Sequence, residues 1–334
     1  MTHIDVAGSI HRPLTHMALF GLAAILDSAG LADVRICFTD EITPQARLTV
    51  NVDESDVIAR AVLDHARARA DNSWVAATMT HEGDAGKGVM SPRLKPPNSP
   101  ESWSMLQSQR HAQLTRLTDR RLTLDLRMVG GLGEPAYWRC TERNVQPDQG
   151  ASRWEMKTRN RGEEFVANRL APLARAVSAR TSETVLAGLT GAAINDYTGA
   201  ADSRSATGFA PPGPVDVALA WCGLWGIADL PVVHDGTNRS RTPGAQRWDR
   251  VHPHIMALPV FTAPTSSARL RAVLRSAELD RLADSMTEEA PTTASSPWLA
   301  EHGVRALARF EVNVVGSTSA PERRILDGTV IPLV

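Results

Sequence analysis

The sequence predicts an α+β fold, with mixed helices and short sheets around two strongly buried helices at residues 14–29 and 215–227. Three observations point there. Leu14 to Leu26 is apolar around nearly the whole circumference of a helix, Val217 to Ile227 repeats that pattern, and short alternating runs read as strands. A helix that is apolar all round belongs inside a core. A chain of 334 residues with 43% hydrophobic content can bury one large core or two smaller ones.

Taken in order, Pro13 suits the first turn of the opening helix and Gly30 its C′ position. Val34, Ile36 and Phe38 alternate as a strand, and Leu48, Val50 and Val52 as a second. Glu54 to Ala70 carries Val57, Ile58, Ala61, Val62 and His65 on one helical face, with Asp53 or Ser55 as its cap. Trp74 to Met79 is a short apolar segment with the character of a strand. Residues 81–102 are rich in Gly and Pro, which excludes a helix or a central strand and predicts a long basic loop. Trp103 to Thr118 is helical, whereas Leu122 to Met128 fits either a strand or a continuing helix. Glu163 to Arg180 is a helix that buries Phe165, Val166, Leu170, Leu173 and Val177 and projects Arg169, Arg175 and Arg180. Residues 185–194, around Gly188 and Gly191, read as helix or turn. Beyond the second buried helix come a polar loop at 234–254, a strand at Ala257 to Thr262 and a helix at Arg269 to Leu282. A last helix at Trp298 to Leu307 precedes a closing strand through Phe310, Val312 and Val314. The parts are 1–80, 81–102, 103–228 and 229–334, compatible with one continuous domain.

The longest apolar run, Val217 to Ala228, has 12 residues, against the roughly 20 needed to span a bilayer. The N-terminus shows no charged-then-apolar leader, so the expectation is a cytoplasmic protein with no membrane partner. Cys37, Cys140 and Cys222 are isolated from one another, the pattern of reduced thiols rather than of a disulfide framework or a zinc site. The net charge of −1 is unevenly spread: residues 103–180 hold fourteen basic and eight acidic side chains. Lys87, Lys95 and Lys157 are the only lysines, so nearly every cation is a guanidinium, able to fork onto phosphate or stack on a base. Codon bias in a GC-rich genome accounts for the same excess without a function.

The densest candidate site is Arg153, Trp154, Lys157, Arg159 and Arg161, just ahead of a helix start near Glu163. A basic loop, an aromatic platform and a helix N-terminus offer counterion release, stacking and amide donors to a nucleic acid. The plain alternative is a solvated loop whose charges pair with Glu155, Glu163 and Glu164. Lys87, Arg93 and Lys95 would form a mobile basic clamp in the 81–102 loop; Gly83, Gly86 and Gly88 there lack P-loop spacing. Arg204, among Ser203, Ser205 and Thr207, and Arg239 with Arg241 are further candidates for phosphate contact. His252 and His254 have no companion ligand pair, and no metal or other cofactor is implied. Asp148, Glu155 and Lys157 are the residue types of a metal-dependent nuclease, but the interval between the acids reads as a turn rather than a strand.

A short strand with Gly8, then Pro13-Leu14 and the helix Ala18-Leu19-Phe20-Gly21-Leu22-Ala23-Ala24-Ile25-Leu26, resembles the N-termini of subunits of type I-U (I-G) CRISPR effector complexes, which are Cascade-like. The Arg159 to Phe165 segment and the loop from Ser203 to Pro214 are similar to that group as well. The resemblance covers about a third of the chain. It implies a noncatalytic subunit of an RNA-guided antiviral surveillance complex, touching guide RNA, target DNA or both among other effector-complex subunits. It assigns no contact residues, so the arginines above rest on local charge. The alternatives are a metal-dependent nuclease and a purely structural assembly subunit.

Overall fold

A computed structural model describes residues 1–135, 150–156, 165–196, 207–234, 240–246, 252–285, 295–317 and 320–333. It has the α+β architecture. The N-terminal part runs β1 (Thr2–Val6), α1 (Pro13–Ser28), β2 (Arg35–Phe38), β3 (Ala46–Val50) and α2 (Asp56–Ala70). Ile4, Val6, Ile36, Phe38, Leu48 and Val50 bury one face of an antiparallel sheet against α1, following the period of two.

The stretch expected to be a loop begins with a hairpin, β4 (Thr78–His81) and β5 (Asp84–Gly88). Its two-residue turn is Glu82-Gly83, with φ of 48° and 80°, the signs that a tight hairpin demands. The chain then buries Val89, Met90, Ser91, Pro92 and Leu94. Glycine and proline exclude a central strand but not a two-stranded ribbon, so the long-loop expectation is corrected. Next come α3 (Pro100–Asp119), whose Ser99 cap accepts from the Ser102 N–H at 3.1 Å, and α4 (Thr123–Leu132). The Leu122 to Met128 ambiguity resolves as helix, with Leu124 and Met128 one turn apart and both buried.

The single helix expected over 163–180 is a π-helical turn, Val166–Leu170, followed by α5 (Ala171–Ser178); Glu163 lies outside the described residues. Pro172 cannot donate to the carbonyl four residues back, so the first turn of α5 adjusts around it. Then follow α6 (Ser182–Thr190) and α7 (Val217–Trp225), which runs into the 3₁₀ turn Gly226–Asp229. Helices α1 and α7 form the most extensive helix pair, and glycines let their backbones meet. A Cβ on Gly21 would overlap the Cys222 carbonyl oxygen, and one on Gly226 would overlap that of Met17.

The C-terminal part contains β6 (Val233–His234), β7 (Ser240–Arg241), β8 (Ile255–Phe261), β9 (Thr265–Ser266), α8 (Ser267–Leu274), α9 (Ala277–Ser285), α10 (Ser295–Glu301), β10 (Val304–Ser317), β11 (Ala320–Ile325) and β12 (Thr329–Pro332). Two expectations change here. The helix over 269–282 breaks after Leu274, where the Ser276 hydroxyl accepts from the Leu279 N–H at 3.2 Å and starts a new helix. The last helix stops at Glu301, ahead of Gly303 at φ 90°, and Leu307 belongs to the 14-residue strand β10, which pairs antiparallel with β8, β11 and β12. Strand β9 adds to the N-terminal sheet in the order β1-β3-β2-β9, and buried side chains from all four sequence parts join one hydrophobic core. No helix among the described residues is long and apolar enough to cross a membrane.

Candidate nucleic-acid interface

The densest sequence candidate divides. Lys157, Arg159 and Arg161 lie outside the described residues, as do Arg204, Arg239 and Asp148. Arg153 and Trp154 are described, and both are interior. Arg153 donates from Nη2 to the Ser240 carbonyl at 3.1 Å and to the Ser240 hydroxyl at 2.9 Å. The Trp154 ring is 0% exposed, with Nε1–H donating to the Pro243 carbonyl at 2.9 Å. Residues 150–156 thus form a buried strap against 240–246. This corrects the expectation of a phosphate contact and a stacking platform: a ring sealed on both faces offers no surface to a base.

Of the basic clamp, the Arg93 expectation is corrected. Arg93 has a side chain only 6% exposed, set 3.4 Å from the Glu155 carboxylate, and donates to the Ser152 carbonyl at 2.8 Å. Glu155, one of the three nuclease candidates, is equally enclosed. Lys95 pairs with Asp84 at 2.6 Å, and His81 Nε2 bonds the Lys95 carbonyl at 2.8 Å. Glu82 accepts from the Ser102 hydroxyl and from the Asn98 N–H, which hold its carboxyl below the usual carboxylate range and tie the hairpin to α3. Lys87 is half-buried on β5, and Arg241 pairs with Asp280 on α9. Among the described residues no cluster of three or more metal-ligating side chains occurs.

Several arginines of the basic centre are likewise drawn inward. Arg110 is 1% exposed, bonded to the Val89 carbonyl at 3.1 Å and to Glu134 at 2.7 Å. Burial pushes its guanidinium pKa down, while Glu134 opposes that shift. Arg180, expected to project, donates to buried Asp216 at 3.0 Å, and Asp216 also caps α7 through the Ala218 N–H. Arg127 pairs with Asp229.

Among the described residues, a pocket of about 330 Å³ opens between the C-terminal ends of α2 and α3 and the start of α4. Its floor is Arg69 and Asp125. Arg69 Nε donates to Asp125 Oδ1 at 3.0 Å and Nη2 to Oδ2, a two-pronged pair, while Trp74 Nε1–H donates to the same Oδ1 at 2.7 Å. Arg69 Nη1 donates to the His65 carbonyl at 2.9 Å, and the guanidinium carbon lies 5.0 Å from the Trp225 ring centre. Behind it, His65 Nδ1 accepts from Trp221 Nε1–H at 3.2 Å. Burial, then the Arg69 charge, hold the His65 pKa well below its ordinary value, so the imidazole is neutral.

Arg116 and Arg120, one helical turn apart on α3, form the rim, with Gln113 and Asn72 beside them. Both arginines are exposed, and neither forms an ion pair among the described residues. They sit in the last turn and at the C-cap of α3, where a cation is favoured by the helix dipole alone. Sequence reasoning passed over this pair because they lie in a polar helix without an aromatic neighbour. The available signal was their spacing of four. No protein-family model matches this chain, and no curated protein matches it significantly.

Proposed function

We propose that this chain is a noncatalytic nucleic-acid-binding subunit of a CRISPR-type RNA-guided surveillance complex, holding the backbone of guide RNA or target DNA. The observation that carries the binding is the arginine rim of the α2–α3 pocket: two exposed guanidinium groups above a preorganised arginine floor. The place in such a complex rests on the resemblance of the N-terminal strand and helix. Replacing Arg116 and Arg120 together by Ala should weaken binding to single-stranded RNA and lower the salt slope by about 1.4, roughly 0.7 for each phosphate that is no longer neutralised. Unchanged binding by a folded variant would overturn the assignment.

A second reading, a purely structural assembly subunit, is favoured by the internal pairing of Arg69, Arg93, Arg110, Arg127 and Arg180. Purification of the tagged chain from its own cells under mild salt separates the two. Sister proteins with a uniform short RNA support the first reading; sister proteins free of RNA support the second.

A further inference from the structure

The pocket is compact, and that shape says more than its charge. We propose that it receives the end of a nucleic-acid strand, binding a terminal phosphomonoester rather than an internal phosphodiester; this rests on the nucleic-acid reading above. A site that tracks a passing strand is an extended groove with charges spaced along it. This one occupies about 330 Å³, the lower end of the range of about 300–1,000 Å³ typical of small-ligand sites, and gathers its cations at one point.

The charge count agrees. Arg69, Arg116 and Arg120 against Asp125 leave two positive charges around the pocket. An internal phosphodiester carries one negative charge, whereas a phosphomonoester carries about 1.5 to 2 at neutral pH. The floor is already fixed: Asp125, the His65 carbonyl and the Trp225 ring hold the Arg69 fork, while each of its terminal nitrogens retains a second N–H. At the floor a ligand therefore meets donors that lose little freedom on binding. Leu117, Leu122 and Ala68 supply an apolar wall for the terminal sugar, and Asn72 and Gln113 supply amide groups at the rim.

The test compares the full chain's affinity for one short single-stranded RNA carrying a phosphate at either end or hydroxyls at both. A phosphorylated strand should bind about tenfold tighter, a difference of about 1.4 kcal/mol, and Arg116→Ala with Arg120→Ala should abolish that preference while the circular dichroism spectrum is retained. Equal, salt-sensitive affinity for all strands would overturn end recognition and leave backbone binding standing. Failure of every strand to bind would overturn both. A nucleoside monophosphate competing as well as the strand itself would assign the phosphomonoester to a free small molecule and overturn the strand end as its source.

Discussion

Asp125 shows how much one carboxylate can organise. It is 2% exposed and receives the Arg69 fork and the Trp74 indole N–H, joining residues 56 and 51 positions away in sequence. Asp125→Ala would strand a buried guanidinium, so a loss of about 3–5 kcal/mol is expected in urea denaturation. A loss below about 1 kcal/mol would show that the pair is not enclosed as described. Residue-scale reading of the sequence fails at this kind of site for a physical reason. Composition marked residues 103–180 as basic, but whether an arginine faces water depends on an acid brought near it by folding, as Glu134 is to Arg110 and Asp216 to Arg180. Trp154 went the same way: a tryptophan among cations reads as a platform until its indole finds the Pro243 carbonyl.

The elements most legible in the sequence were those whose pattern is independent of partners. The two apolar helices, α2 and the first strands follow their periodicity to within a few residues. The β4–β5 hairpin was missed because Asp84-Ala85-Gly86-Lys87-Gly88 carries no apolar alternation, and β10 was read only from Phe310 onward because its first residues, Val304 to Leu307, were assigned to the preceding helix. Adjacent glycines in α4 test the helix packing sharply. A Cβ at Gly131 would overlap the Ile227 carbonyl oxygen, whereas a Cβ at Gly130 meets open space. Gly131→Ala should therefore destabilise by about 1–3 kcal/mol, and Gly130→Ala should stabilise by about 0.4–1 kcal/mol through the unfolded chain. Paired melting curves check the opposite signs.

The molecule as a whole is joined across its length by His16. The ring is fully buried, with Nε2 at 2.7 Å from the Ile10 carbonyl, tilted against Phe38 at 4.6 Å and edge-on to Phe310 at 5.3 Å, so β2 and β10 close over it. Burial, against the Ile10 hydrogen bond, lowers its pKa to about 4 from 6.5. The unfolded chain takes up the proton first, so stability holds above pH 6.5 and falls by about 3 kcal/mol as pH drops toward 4. Denaturant midpoints across that window should decline, less steeply in a folded His16→Gln variant; a flat profile in the wild type would refute the burial of a neutral ring. The glycine-mediated meeting of α1 with α7 also sets a timetable for synthesis. Nearly 190 residues separate the end of α1 at Ser28 from the start of α7 at Val217. At about 5–20 residues per second, an all-apolar helix waits about 10–40 seconds on the ribosome before its partner emerges. Through that interval the α7-facing side of α1 lacks its cover, so ribosome-bound chains halted short of Val217 should expose apolar surface to chaperones, which crosslinking would detect.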